Sequence, residues 1–202
     1  MQNQSSKTRK FSTMSATLFT AYAFIFYSST VCGQIDIDSI LPPFSKFQRP
    51  AQPTTIALSP DSSQLVLGTN SGYLATISTI TGKVIWKTRI SQGYVKHATF
   101  SLNGKQLYLG EQSADGFIFC YDVSKSRKPR LLWQYRLADD VGTSIPENPD
   151  DYYAWIQYPG PYRIANTEQG DLIVAAVHSW YKDGKSLIKS QLYRFDAKTG
   201  KP

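Results

Sequence analysis

The sequence predicts an all-β fold: a partial β-propeller of about three four-stranded antiparallel blades, the last one incomplete. Two observations carry that expectation. The first is an internal echo, in which IALSPDSSQLVLGTNSGYLATISTITGKVIW (residues 56–86) is followed by ATFSLNGKQLYLGEQSADGFIFCYDVSKSRKPRLLW (98–133) and then by IANTEQGDLIVAAVHSWYKDGKSLIKSQLYRFDAKTGKP (164–202), which stops before a matching tryptophan. A unit repeated at roughly 40 to 50 residues cannot bury its apolar face alone and stacks on its neighbours. The second observation is that turn residues recur at every junction such a repeat requires.

Residues 1–33 read as an export signal. Basic Lys7, Arg9 and Lys10 precede a mostly apolar run, 16–27, and then a small-residue stretch, 28–33. Val31 and Gly33 fit the third and first positions before a cut, so cleavage is expected between Gly33 and Gln34, leaving the repeats periplasmic or secreted. An uncleaved signal anchor that keeps the repeats outside the cytoplasm is the main alternative. Its run, 16–31, is slightly short of a span of ~20 residues. Lipidation at Cys32 is disfavoured by the preceding Val31.

Residues 34–55 contain Pro42, Pro43, Pro50 and Pro53, which forbid a regular helix and discourage a central strand, so they form a lead-in segment. The repeats occupy 56–202, as 56–90, 98–137 and 162–202, with an insert at 138–161. In the first repeat, strands are expected at 56–58, 64–68, 73–78 and 84–87, separated by Ser59-Pro60-Asp61, Asn70-Ser71-Gly72 and Thr81-Gly82-Lys83. The second repeat supplies Asn103-Gly104 and Asp115-Gly116 around strands at 107–110, 117–122 and 131–134. The third places turns at Gln169-Gly170, Asp183-Gly184 and Thr199-Gly200, with no residues left for an outer strand.

The endings TGKVIW (81–86) and LYRFDAKTGKP (192–202) resemble the repeat of quinoprotein-like propellers, in which a strand ending in Asp leads into a Thr-Gly-Lys turn and a Trp-bearing strand. The openings ALSPDSSQLVLG and FSLNGKQLYLG resemble the first strands of WD40-type blades. Ser78 departs from the pattern where Asp122 and Asp196 keep it. The resemblance implies blade architecture, which enzymes, assembly factors and adaptors share. Catalytic quinoproteins, as the resemblance implies, close many blades around the quinone with calcium ligands, an adjacent disulfide and a catalytic aspartate. With about three blades and Cys120 as the only cysteine after the signal, no catalytic residue, metal or cofactor is assigned here.

The formal charge of +7 is inflated by the N-terminus. Beyond residue 33 the chain carries 19 basic against 15 acidic residues, a net of +4, without an Arg-rich helix, which argues against a nucleic-acid partner. Cys120, flanked by FIF and Tyr121, reads as a buried core residue. His97 and His178 have no short ligand spacing between them and read as structural. Asp115 and Asp183 precede glycine in turns, where backbone geometry explains them.

One segment exceeds what blades need. The insert concentrates Asp139, Asp140, Glu147, Asp150 and Asp151 with Tyr152, Tyr153, Trp155 and Tyr158. Long connections in compact domains are functional or disordered, and aromatics are enriched at recognition surfaces. Asp151, Tyr152, Trp155 and Tyr158 are therefore the candidate binding residues. Blade topology puts the insert on the same face as the turn at 179–185. The opposite face gathers Lys83, Lys125, Arg127, Lys128, Arg130, Lys198 and Lys201, a basic surface suited to anionic lipid or simply solvated.

The functional expectation is an exported, non-enzymatic propeller acting as a protein-binding or scaffold module in the cell envelope. Its partner is a protein, it touches membrane only through an uncleaved anchor, and it self-associates through the open blade edge. The alternative is a fragment of a quinoprotein-type oxidoreductase whose active site lies beyond the C-terminus.

Overall fold

The computed structural model describes residues 52–125, 128–146 and 154–202, all within the unit Asp36–Pro202. The expected cleavage site at Gly33 and Gln34 lies outside the described residues. The first sheet is an antiparallel meander of β1 (Pro53–Leu58), β2 (Gln64–Thr69), β3 (Tyr73–Ser78) and β4 (Val84–Arg89), paired in sequence order. The second repeats it with β5 (Tyr94–Phe100), β6 (Gln106–Gln112), β7 (Phe117–Asp122) and β8 (Arg130–Arg136). The third has three strands, β9 (Gly160–Asn166), β10 (Leu172–Lys182) and β11 (Lys185–Phe195), with β11 at its edge. This is the partial propeller that the repeats predict.

The inner strands begin earlier than their sequence suggests. β1 starts at Pro53, inside the expected lead-in; β5 starts at Tyr94 and β9 at Gly160. Proline is tolerated as the first residue of a strand and on an edge strand, which is why Pro53, first in β1, and Pro161, second in the edge strand β9, do not stop pairing. Each inner strand also carries one extra residue at the same place. The cross-strand register skips Thr54, Lys96 and Tyr162 and then continues, so that the next residues, Thr55, His97 and Arg163, face Gly68, Gly110 and Ala175. A bulge at one site in three repeats re-aims the start of each inner strand.

The middle sheet explains the apolar runs in its sequence. Side chains alternate across a strand, and here both faces are covered. Leu107, Leu109, Phe119 and Tyr121 join Val66, Leu74, Val95 and Phe100 in the core against the first sheet. Tyr108, Ile118 and Cys120 join Leu172, Val174, Tyr193 and Phe195 in the core against the third. Burial pushes the Cys120 thiol up to about 12, an inert core group.

Stacking demands two glycines. A Cβ on Gly68 would come 2.6 Å from Val95 Cγ1, and one on Gly110 would come 2.2 Å from Pro161 Cγ and 2.9 Å from Ile164 Cδ1. The Leu-Gly of β2 and of β6 is thus the seat of the following inner strand. The tryptophans of the outer strands complete the contact: Trp86 packs on the first core, while Trp133 lies 6.1 Å from both Tyr108 and Phe195. Trp133 also donates from Nε1 to the Ala197 carbonyl at 3.0 Å and presses its ring on Gly200. Gly200, at φ +69°, closes the Thr-Gly-Lys turn against that ring.

The same turn shows how Ser78 replaces aspartate. Asp196 Oδ1 accepts from the Thr199 backbone at 2.7 Å, and Ser78 Oγ accepts from the Thr81 backbone at 3.2 Å, so a hydroxyl fills the same capping role. Both turns then return the chain through the same backbone bonds, Ser78 N–H to the Lys83 carbonyl and Asp196 N–H to the Lys201 carbonyl, each at 2.9 Å.

Replacing Gly110 by Val favours strand propensity but wedges β9 away, and it is expected to lower stability by about 1–3 kcal/mol. Urea denaturation measures this; an unchanged midpoint would show that the third sheet is not seated on that glycine.

Candidate functional site

The insert leaves β8 as a single helical turn, α1 (Ala138–Val141), whose first amides bond to the β6–β7 turn: Leu137 N–H to the Gly116 carbonyl at 3.3 Å and Ala138 N–H to the Asp115 carbonyl at 3.1 Å. Arg136 strengthens this mooring by bonding Asp115 at 2.7 Å and also Asp139. The turn aspartate Asp115 thus has a partner as well as a backbone role. Asp140 is clamped from above. Its Oδ2 accepts from the hydroxyls of Tyr135 on β8 and Tyr193 on β11, each at 2.7 Å. Those two bonds, Tyr135's the larger, hold the Asp140 carboxyl below the usual carboxylate range. Burial first, and then the Asp140 hydrogen bond, push the Tyr135 phenol up to about 12 and that of Tyr193 higher still.

The far end of the insert is a 3-10 turn (Ala154–Gln157) that enters β9 at Gly160. Gln112 donates from Nε2 to the Tyr158 carbonyl at 3.0 Å, and Ser113 N–H bonds the Pro159 carbonyl at 3.3 Å. Thr143 donates to the Ala114 carbonyl at 2.7 Å, and Ser144 Oγ donates to the Gln157 carbonyl at 2.8 Å, drawing the two flanks together. Both flanks therefore rest on the β6–β7 turn and on β10, the face expected from blade topology. β10 and β11 run eleven residues each, against six or seven for their counterparts. Their hairpin, closed by Asp183 at φ +50° and Gly184 at φ +72°, carries blade 3 further out on that face.

Beneath the flanks lies His178, 1 % exposed, with Nδ1 3.1 Å from the Val141 carbonyl and Nε2 3.0 Å from Ser144 Oγ. A serine hydroxyl within reach of an imidazole is the spacing of a nucleophile and its base. Here the ring is sealed from solvent, and the hydroxyl is bonded to a carbonyl. The arrangement ties chain to chain. His97, on β5, is half-buried and has its pKa lowered chiefly by that burial. A buried carboxylate, Glu111, accepts from Ser113 Oγ at 2.6 Å and from Ser91 Oγ, joining the connection between blades 1 and 2 to the β6–β7 turn. Burial raises its pKa.

Of the candidate binding residues, Asp151 and Tyr152 lie outside the described residues. Trp155 falls in the 3-10 turn, and Tyr158 is half-buried with its carbonyl taken by Gln112. Sequence reasoning favoured aromatics and passed over two aliphatic residues on the flanks, Ile145 at 86 % exposure and Ile156 at 44 %. The signal was available in the run Ser-Ile-Pro, where an isoleucine beside proline in a loop has no strand to bury it.

No protein-family model matches the sequence, and no curated protein matches it. Among solved structures the chain is similar to the β-propeller domain of Cps50 (Swd1) from Myceliophteria thermophila, at 15 % identity and a TM-score of 0.47. The match covers 74 % of this chain and 49 % of that one, so the chain spans about half the length of that domain.

The Asp140 clamp has a pH signature. A carboxyl held below its unfolded value contributes stability that is present above that value, about 3.9, and lost as pH falls through the folded one. Tyr193→Phe is expected to cost about 1 kcal/mol at neutral pH, with a smaller difference from wild type in acid where Asp140 is protonated. Denaturant midpoints at both pH values check it; a cost that does not change with pH would mean that the phenol acts only through packing.

Proposed function

We propose that this chain is an exported, non-enzymatic propeller module that binds a protein partner in the cell envelope through its insert-bearing face. The observation that carries the reading is that the insert is built in. Its flanks are moored by hydrogen bonds to two blades and still present Ile145 and Ile156 to solvent, beside the extended β10–β11 hairpin, which exposes Tyr181. A long connection whose flanks are held in place, with apolar groups turned outward, suits recognition more than solvation. Export rests on the order of basic, apolar and small residues in 1–33. The quinoprotein-like side of the resemblance rests on the Thr-Gly-Lys turns alone.

Capture from the native envelope fraction tests the face. Trp155→Ala with Tyr158→Ala is expected to cost about 2 kcal/mol or more of binding energy if these are anchors, against well under 1 for a peripheral contact. Unchanged capture by that variant, with circular dichroism showing an intact fold, would return the insert to a structural role.

The edge of β11 adds a second expectation. Its exposed Ile188 and Leu192 lie along an unpaired strand edge, which recruits other chains. Light scattering behind size exclusion should show mass rising with concentration, and a constant monomer mass would dismiss self-association.

A further inference from the structure

His178 holds both ends of the insert at once. Nδ1 faces the Val141 carbonyl at the end of α1; a carbonyl only accepts, so Nδ1 carries the ring proton. Nε2 faces Ser144, whose single hydroxyl proton is shared with the Gln157 carbonyl beside the 3-10 turn. One neutral ring thus joins residue 141, residue 144 and, through it, residue 157.

A charged ring in that position is poorly compensated. Across the sheet, its register partner on β11 is Lys189, a second cation. On α1, Asp140 is committed to the two tyrosine hydroxyls and Asp139 to Arg136. The described residues of the 3-10 turn, and Gly160 and Pro161 of β9, bring no charge, and Lys182 further along β10 only adds positive charge. Among the described residues no uncommitted carboxylate faces the ring, and a charge on it would meet only the stacked indole of Trp180, 4.3 Å away, and the uncharged Val141 carbonyl, Ser144 hydroxyl and Gln157 carbonyl. Burial is the largest influence on the ring and depresses its pKa, Lys189 adds to that, and the Val141 and Gln157 carbonyls oppose it.

We propose that His178 is a proton-sensitive pin: neutral, it holds residues 142–146 and 154–158 against blade 3, and on protonation it releases them. With the flanks lifted, the ring reaches water and takes its proton near the ordinary value of about 6.5; closed, it does so only at lower pH. Acid between those two values therefore favours the lifted form, by about tenfold for each unit that separates them. That this would tune partner binding rests on the reading above; the pin itself does not.

Hydrogen exchange of the full chain, compared between neutral pH and about pH 5 after correction for intrinsic rates, decides it. In wild type, amides in 142–146 and 154–158 should lose about tenfold protection in acid while those of β6 and β7 keep theirs. His178→Gln, which bonds but does not titrate in this range, should show no such acid-dependent loss, and His97→Gln should behave as wild type. Equal loss in His178→Gln, loss abolished by His97→Gln, or no loss in wild type would overturn the pin. Should His178→Gln fail to fold, the wild-type ring is titrated by NMR: a pKa at or above about 6.5 overturns the proposal, and a lower one supports it. No partner enters either measurement, so its outcome is independent of whether the face binds one.

Discussion

The close approach of each inner strand to the second strand of the preceding blade is the constraint on which the rest of the structure depends. Gly68 and Gly110 leave room where a Cβ would strike Val95 or Pro161. That clearance lets three sheets lie face to face, so the middle one buries both surfaces and its strands become continuously apolar. Because interiors are packed as tightly as crystals, a gap of one methyl group between sheets would be felt through the whole stack. The bulges at Thr54, Lys96 and Tyr162 serve the same end, bending each inner strand as it meets its neighbour.

Polar groups then lock what the apolar cores bring together. Trp133 reads the turn of the next blade through one hydrogen bond and one ring face. Glu111 joins two connections and Asp140 joins two strands, each accepting two hydroxyl hydrogen bonds that offset the cost of desolvation. The insert is an extension of this scheme. Its two described flanks are held by side chains from two blades.

Much of this was legible in the chain. The echo of three repeats and the glycine turns announced sheets in order, and the short third repeat announced a blade without an outer strand. Blade topology placed the insert on the face where it is found. The start of β1 was misread because Pro53 looked like part of a strand-breaking lead-in, whereas a strand's first residue needs no N–H donor. The site was only partly visible. Aromatic clustering drew the reading to the insert, but nothing local distinguishes Asp140, clamped by two phenols, from Asp139 beside it.

The sequence by itself determined the class of fold and the order of its strands, because alternation and turn chemistry are properties of neighbouring residues. The tertiary structure alone decided which glycines are seats, which aspartate is a clamp and which histidine bonds the flanks of the insert. Those roles depend on partners such as Val141 for His178, 37 residues away, and Ala197 for Trp133, 64 residues away. A contact of that kind exists only once the sheets have stacked, and no local pattern records it.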